Sequence, residues 1–173
     1  MNLLSSFKTI SCFVFDVDGV LTDGGLLVTP DGQWLRRMNI KDGYALQLAV
    51  KKGYRILILS GATSEPVANR LSKLGITDIH QGVADKAARL REYMQSHGLQ
   101  PAQVLFMGDD IPDYSALQVA GMPCWPADAV VEVRNICKYV SPQAGGMGCV
   151  RDVVEKVMKL NGHWSLETEV RSW

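Results

Sequence analysis

Three short runs, Cys12–Asp16, Arg55–Leu59 and Val104–Gly108, are apolar at consecutive rather than alternate positions. A strand with one wet face alternates, so continuous apolarity means that both faces are covered. Amphipathic stretches with helix punctuation separate the runs. Asp42–Lys52 stops at Gly53. A second helix starts at Ser64, with Glu65 and Pro66 just inside, and stops at Gly75; a third, Asp85–His97, stops at Gly98. Val150, Val153, Val154, Val157 and Met158 then recur at helical spacing. Buried strands alternating with helices predict an α/β fold: a Rossmann-like, doubly wound parallel sheet, whose ligands bind beyond the carboxyl ends of the strands.

One segment breaks the alternation. Gly25–Val28, Pro30-Asp31-Gly32 and Trp34–Asn39 read as a β-hairpin around a turn, placed directly after the first strand and so overhanging the expected site. The chain contains no internal repeat. Its 173 residues suit one domain, predicted over 1–160 with the hairpin as a flap at 25–39, followed by a tail at 161–173 that carries Trp164 and Trp173.

Basic and acidic residues balance at 18 each, which argues against a nucleic-acid partner. Four cysteines without Cys-x-x-Cys spacing point to reduced thiols rather than zinc or a redox dithiol. No apolar run approaches the roughly 18 residues of a membrane span, and no leader-type cleavage site follows Lys8, so a cytoplasmic location is expected.

The predicted strand ends carry the chemistry. After the first comes Asp16-Val-Asp18-Gly, two carboxylates two residues apart, able to share a cleft and suited to a divalent cation or to a division between nucleophile and acid/base. Asp-x-Asp-Gly alone is common in solvated turns. The second strand, however, ends in Ser60-Gly61-Ala62, a hydroxyl and free N–H groups ahead of a helix. Lys86 opens a later helix, and the third strand ends in Gly108-Asp109-Asp110-Ile-Pro-Asp113. Other signatures of phosphate chemistry are missing: each cysteine lacks an arginine six positions on, there is no Arg-His-Gly, and there is no Gly-x-x-x-x-Gly-Lys loop. His80, His97 and His163 have no partner pattern.

In this order the four elements resemble the motifs of the haloacid dehalogenase superfamily, over nearly the whole chain to about Lys159. The resemblance implies a phosphomonoesterase with Asp16 as nucleophile, Asp18 as general acid/base, and Ser60 and Lys86 on the phosphoryl group. It also implies Mg²⁺ held by Asp16, the Asp18 carbonyl and Asp109, with Asp110 and Asp113 in support. Too few residues separate the motifs for a cap domain. A finer similarity, in the stretch from Asp18–Gly25 through the hairpin to Asn39–Tyr44, in Gly108–Asp113 and in Gly145-Gly-Met-Gly with Arg151-Asp-Val-Val, is to the 3-deoxy-D-manno-octulosonate 8-phosphate phosphatases. That family implies a sugar-acid phosphate substrate on the path to lipopolysaccharide, and a homotetramer whose hairpins and tails close neighbouring sites. Two positions depart from it: Ala62 where many relatives carry a charge, and Met147 where some carry arginine. Phosphatases for nine-carbon sugar acids share the architecture, and so does an oligomerisation module of sialic-acid-activating enzymes. Gly61, Lys41, Asp42 and Arg70 are the candidates for holding the substrate, and Arg36 and Arg37 are assigned to the hairpin surface or a subunit contact.

Overall fold

The computed structural model describes residues 3–170; Trp173 lies outside them. In chain order the elements are α1 (Leu3–Lys8), β1 (Cys12–Phe15), β2 (Leu27–Val28), β3 (Trp34–Leu35), α2 (Ile40–Lys51), β4 (Arg55–Leu59), α3 (Glu65–Lys73) and β5 (Asp78–His80). They continue with α4 (Lys86–Ser96), β6 (Val104–Met107), α5 (Tyr114–Leu117), β7 (Met122–Trp125), α6 (Val131–Arg134), β8 (Tyr139–Val140) and α7 (Cys149–Leu160).

Six strands form one parallel sheet in the order β5-β4-β1-β6-β7-β8. Successive strand residues face opposite sides, and each side meets its own apolar layer. Phe13, Phe15, Ile56, Ile58, Leu105 and Met107 pack with α1, α2 and α7. Cys12, Val14, Leu57, Leu59, Val104 and Phe106 pack with α4 and α5. The doubly wound α/β sheet read from the sequence is the architecture observed.

The winding locates the site. From β1 the chain moves outward through β4 to β5, then returns to β6 on the other side of β1 and continues outward. The carboxyl ends of β1 and β6, adjacent and in register with Phe15 opposite Met107, therefore flank the switch point.

The hairpin is a separate two-stranded ribbon, Leu27 opposite Leu35 and Val28 opposite Trp34, rooted by a Thr22–Met38 bridge. Its turn is closed by Gly32 N–H donating to the Thr29 carbonyl at 2.9 Å. No cap domain interrupts the described residues. Helix α2 begins two residues before the predicted Asp42, because the Asn39 side chain accepts from Lys41 N–H and caps it. Residues 161–170 lie along α2 and α7: Trp164 meets Tyr44 edge-on, Arg151 stacks over Trp164, and Glu167 pairs with Lys52 at 2.6 Å.

Candidate active site

Beyond β1 the backbone turns sharply at Gly19, φ +89°. A Cβ there would stand 2.0 Å from Asp109 Oδ2, so only glycine lets the two acidic loops close on each other. The same logic operates at Gly108, whose Cβ would collide with Asp113, and at Gly145, whose Cβ would lie 2.0 Å from the Gly19 carbonyl oxygen. Gly146 N–H donates to the Val20 carbonyl at 2.9 Å. The late glycine-rich segment thus buttresses the loop bearing Asp16 and Asp18.

These approaches build a cleft of about 330 Å³ whose lining includes Asp16, Asp18, Ser60, Gly61, Lys86, Asp109, Asp110 and Asp113. Four loops far apart in sequence meet there. Lys86, the first residue of α4, is buried; its ammonium lies 2.9 Å from Asp16 Oδ1 and 2.6 Å from Asp113 Oδ1. Asp113 Oδ2 accepts the N–H groups of Asp109 and Asp110, at 3.0 and 3.4 Å, and so shapes the turn. The Asp110 side chain accepts from Ile111 N–H and is exposed. Ser60 is buried, its hydroxyl accepting from Ala62 N–H at 3.2 Å.

The electrostatics are those of a site short of positive charge. Burial, reinforced by Asp113, pushes Asp16 up to about 7 despite Lys86. Burial and then Asp113 and Asp16 push Asp109 up to about 8. Burial alone would lower the Lys86 ammonium, but Asp113 and Asp16 hold it above its ordinary value. Carboxylate oxygens of Asp16, Asp109 and Asp113 lie within 4.8 Å of one another, and Asp109 Oδ1 is buried with no hydrogen-bond partner. An all-oxygen donor set with an orphaned carboxylate oxygen fits a hard divalent cation such as Mg²⁺.

Of the remaining candidates, Gly61 lines the cleft. Lys41 is exposed on the first turn of α2 and is not among the cleft-lining residues. Asp42 is a correction. It is 1% exposed and does not line the cleft, accepting Arg151 N–H at 2.7 Å at the start of α7. Its task there is to cap α7, and burial pushes it up to about 6. Arg70 lines a neighbouring groove between hairpin and α3.

Arg36 is the residue that the sequence reading misplaced. Its guanidinium grips both carboxylate oxygens of Asp18, Nε to Oδ1 at 2.6 Å and Nη2 to Oδ2 at 3.1 Å. Arg36 and Met38 are half-buried while Leu35 and Arg37 are exposed, but nothing in the sequence said which side of the strand faces Asp18. Arg37, by contrast, remains on the surface, paired with Asp23 at 2.8 Å.

Residues 67–150 match the family of haloacid dehalogenase-like hydrolases. The chain belongs to that family. Among its relatives it is 31% identical over 157 residues, 91% of this chain and 84% of the other, to 3-deoxy-D-manno-octulosonate 8-phosphate phosphatase KdsC of Yersinia pestis. It is 29% identical to the KdsC of Escherichia coli K12, over 93% of this chain and 86% of that one. A Moraxella catarrhalis 3-deoxy-D-manno-octulosonate 8-phosphate phosphatase, solved with magnesium, phosphate and the octulosonate, superposes with a TM-score of 0.87 at 31% identity. That match covers 91% of this chain and 90% of the other.

Proposed function

We infer that the protein is a Mg²⁺-dependent phosphatase that releases phosphate from 3-deoxy-D-manno-octulosonate 8-phosphate through an aspartyl-phosphate on Asp16. The observation carrying the chemistry is the convergence of Asp16, Asp109 and Asp113 around buried Lys86 at the switch point of the sheet. The substrate reading rests on the relatives, which span nearly the whole chain.

In the first half-reaction an Asp16 oxygen bonds to phosphorus as the ester P–O bond breaks, and protonated Asp18 gives its proton to the leaving sugar oxygen. In the second, water attacks phosphorus, Asp18 takes the water's proton, and the acyl-phosphate P–O bond breaks to restore Asp16. Ser60 and the N–H groups after it bind phosphoryl oxygens, and Lys86 offsets their charge. Asp16 and Asp109, with the Asp18 carbonyl, would hold Mg²⁺, supported by Asp110 and Asp113. When bound, the ion screens the repulsion between Asp16 and the phosphate dianion. Every acidic position of this scheme is present in the cleft, which leaves the oligomerisation-module reading without support.

The assembly is read as a homotetramer. Val28 and Trp34 on one side of the hairpin and Leu27 on the other are 61–66% exposed, apolar surface that a lone domain has no reason to keep. Packed hairpins would cover this surface and roof the neighbouring cleft. Among the described residues no helix is long and apolar enough to cross a membrane; the proposed location is the cytoplasm.

The test is turnover of purified protein on a panel of phosphate esters with Mg²⁺ and with EDTA. The octulosonate ester is expected to have the highest kcat/KM, lost in EDTA. Equal kcat/KM on the octulosonate ester and on p-nitrophenyl phosphate would overturn the substrate reading.

A further inference from the structure

The pairing of Arg36 with Asp18 stands in the way of the proposed reaction. Asp18 has to exchange a proton first with the leaving oxygen and then with water, yet a single guanidinium engages both of its oxygens. A bidentate, charge-assisted pair of this kind is directional and among the stronger polar contacts. It is also sheltered on one side only. The Arg36 side chain is 6% exposed, whereas that of Asp18 is 34% exposed and lines the cleft. In the paired position the guanidinium is sheltered, so an incoming anion that replaces Asp18 would ease their separation.

The surroundings say what could open it. Arg36 sits on the hairpin, not on the sheet, and a Thr22–Met38 bridge ties the root of the hairpin to the loop after β1. Arg36 walls a groove of about 420 Å³, between hairpin and α3, with Trp34, Met38, Ser64, Val67 and Arg70. Arg36 links this groove to the cleft, because its guanidinium pairs with Asp18. The groove combines apolar walls with two arginines, the lining expected for a sugar skeleton bearing an acid group.

We propose that Arg36 is a latch that occupies Asp18 in the empty enzyme and is drawn off by the carboxylate of an incoming sugar-acid phosphate, so that the substrate's acid group frees the acid/base. The proposal rests on the function inferred above and deepens it. Substrate discrimination would then act on turnover as well as on binding, because a neutral sugar phosphate brings no anion in exchange for Asp18. In this scheme Arg36 binds the substrate's acid group and affects the chemistry only through Asp18.

The experiment compares wild type, Arg36→Met and Arg36→Lys on two esters with primary alkoxide leaving groups, the octulosonate 8-phosphate and ribose 5-phosphate, at saturating Mg²⁺. Calorimetry with the free octulosonate and its methyl ester supplies a readout independent of turnover, and melting curves check that each variant folds. For Arg36→Met the latch predicts kcat on ribose 5-phosphate at least about threefold higher, with KM for the octulosonate ester at least about tenfold higher. It also predicts that Arg36→Met binds the free acid about tenfold more weakly and the methyl ester as before. Arg36→Lys, which keeps the charge but loses the fork, should fall between the two. Parallel losses on both esters, as a purely structural residue or a phosphate-binding residue would give, overturn the proposal. So does an unchanged or lower kcat on ribose 5-phosphate. If wild type hydrolyses ribose 5-phosphate but not the octulosonate ester, the substrate reading fails by itself, and the ribose 5-phosphate kcat of Arg36→Met still decides the latch.

Discussion

At the residue scale, the tightest constraint in the cleft is steric. Gly19 combines a φ of +89° with a Cβ position 2.0 Å from Asp109 Oδ2, so Gly19→Ala must displace the Asp109 carboxylate. Displacements of about 1 Å in a catalytic array cost on the order of a hundredfold, and kcat/KM should fall by at least that factor. Gly53 separates the two causes: its φ is +84°, with nothing within 4 Å of the added Cβ. Gly53→Ala should lose about 1 kcal/mol of stability in urea melts and keep its activity. The cation makes its own mark at this scale. Three carboxylates within 4.8 Å and only Lys86 between them repel one another until a divalent ion binds. Adding Mg²⁺ should therefore raise Tm, by an amount that grows with the logarithm of its concentration, and EDTA should reverse the rise. In Asp109→Ala the Mg²⁺-dependent part of that rise should disappear.

At the scale of elements, α7 depends on a side chain from α2. Asp42 accepts Arg151 N–H in the first turn of α7, and its other oxygen is buried without a partner. Asp42→Ala should cost about 1–3 kcal/mol in stability through the lost cap and leave kcat/KM for the sugar ester nearly unchanged. The pH dependence follows from the sign of the shift. The folded-state carboxyl is pushed up from its ordinary 3.8 to about 6, chiefly by burial, so between these values the folded protein holds a proton that the unfolded chain has released. Its contribution is therefore fully present below about 4, is lost as pH rises toward 6, and is flat above that, roughly 3 kcal/mol across the window. Asp42→Asn carries no such titration. Its stability relative to wild type should improve between pH 4 and 6.5 in urea melts and then level off.

The same elements explain what could be read in advance. β1, β4 and β6 were legible because they are covered on both faces, which leaves an uninterrupted apolar signature. β5 is half-buried along its length, β7 contains Pro123, and β8 has two residues, so these outer strands carry no comparable pattern. The acidic motifs, Ser60 and Lys86 were legible because each sits at a fixed offset from a readable strand or helix start. Asp42 and Arg36 were not, for a common reason: their surroundings come from contacts more than a few residues away, α7 for one and the Asp18 loop for the other. Asp42 sits in the first turn of α2, a position that suits a carboxylate wherever it points.

At the scale of the whole molecule, a capless cleft and an exposed apolar hairpin are two sides of one arrangement. Light scattering at micromolar concentration should give about four times the 19.0 kDa chain mass. Trp34→Glu places a charge on the hairpin face and should yield smaller species with a lower kcat/KM for the sugar ester. An active monomer would remove the shared roof from the account while leaving the chemistry intact. The central claim is that the fold assembles four distant segments for covalent catalysis by Asp16. Its most direct test is steady-state hydrolysis of the octulosonate ester by Asp16→Asn at saturating Mg²⁺, with circular dichroism to verify folding. Replacing the attacking carboxylate by an amide of nearly equal volume should lower kcat by more than about a thousandfold. Turnover retained above about a thousandth of wild type by the folded variant would contradict the aspartyl-phosphate route.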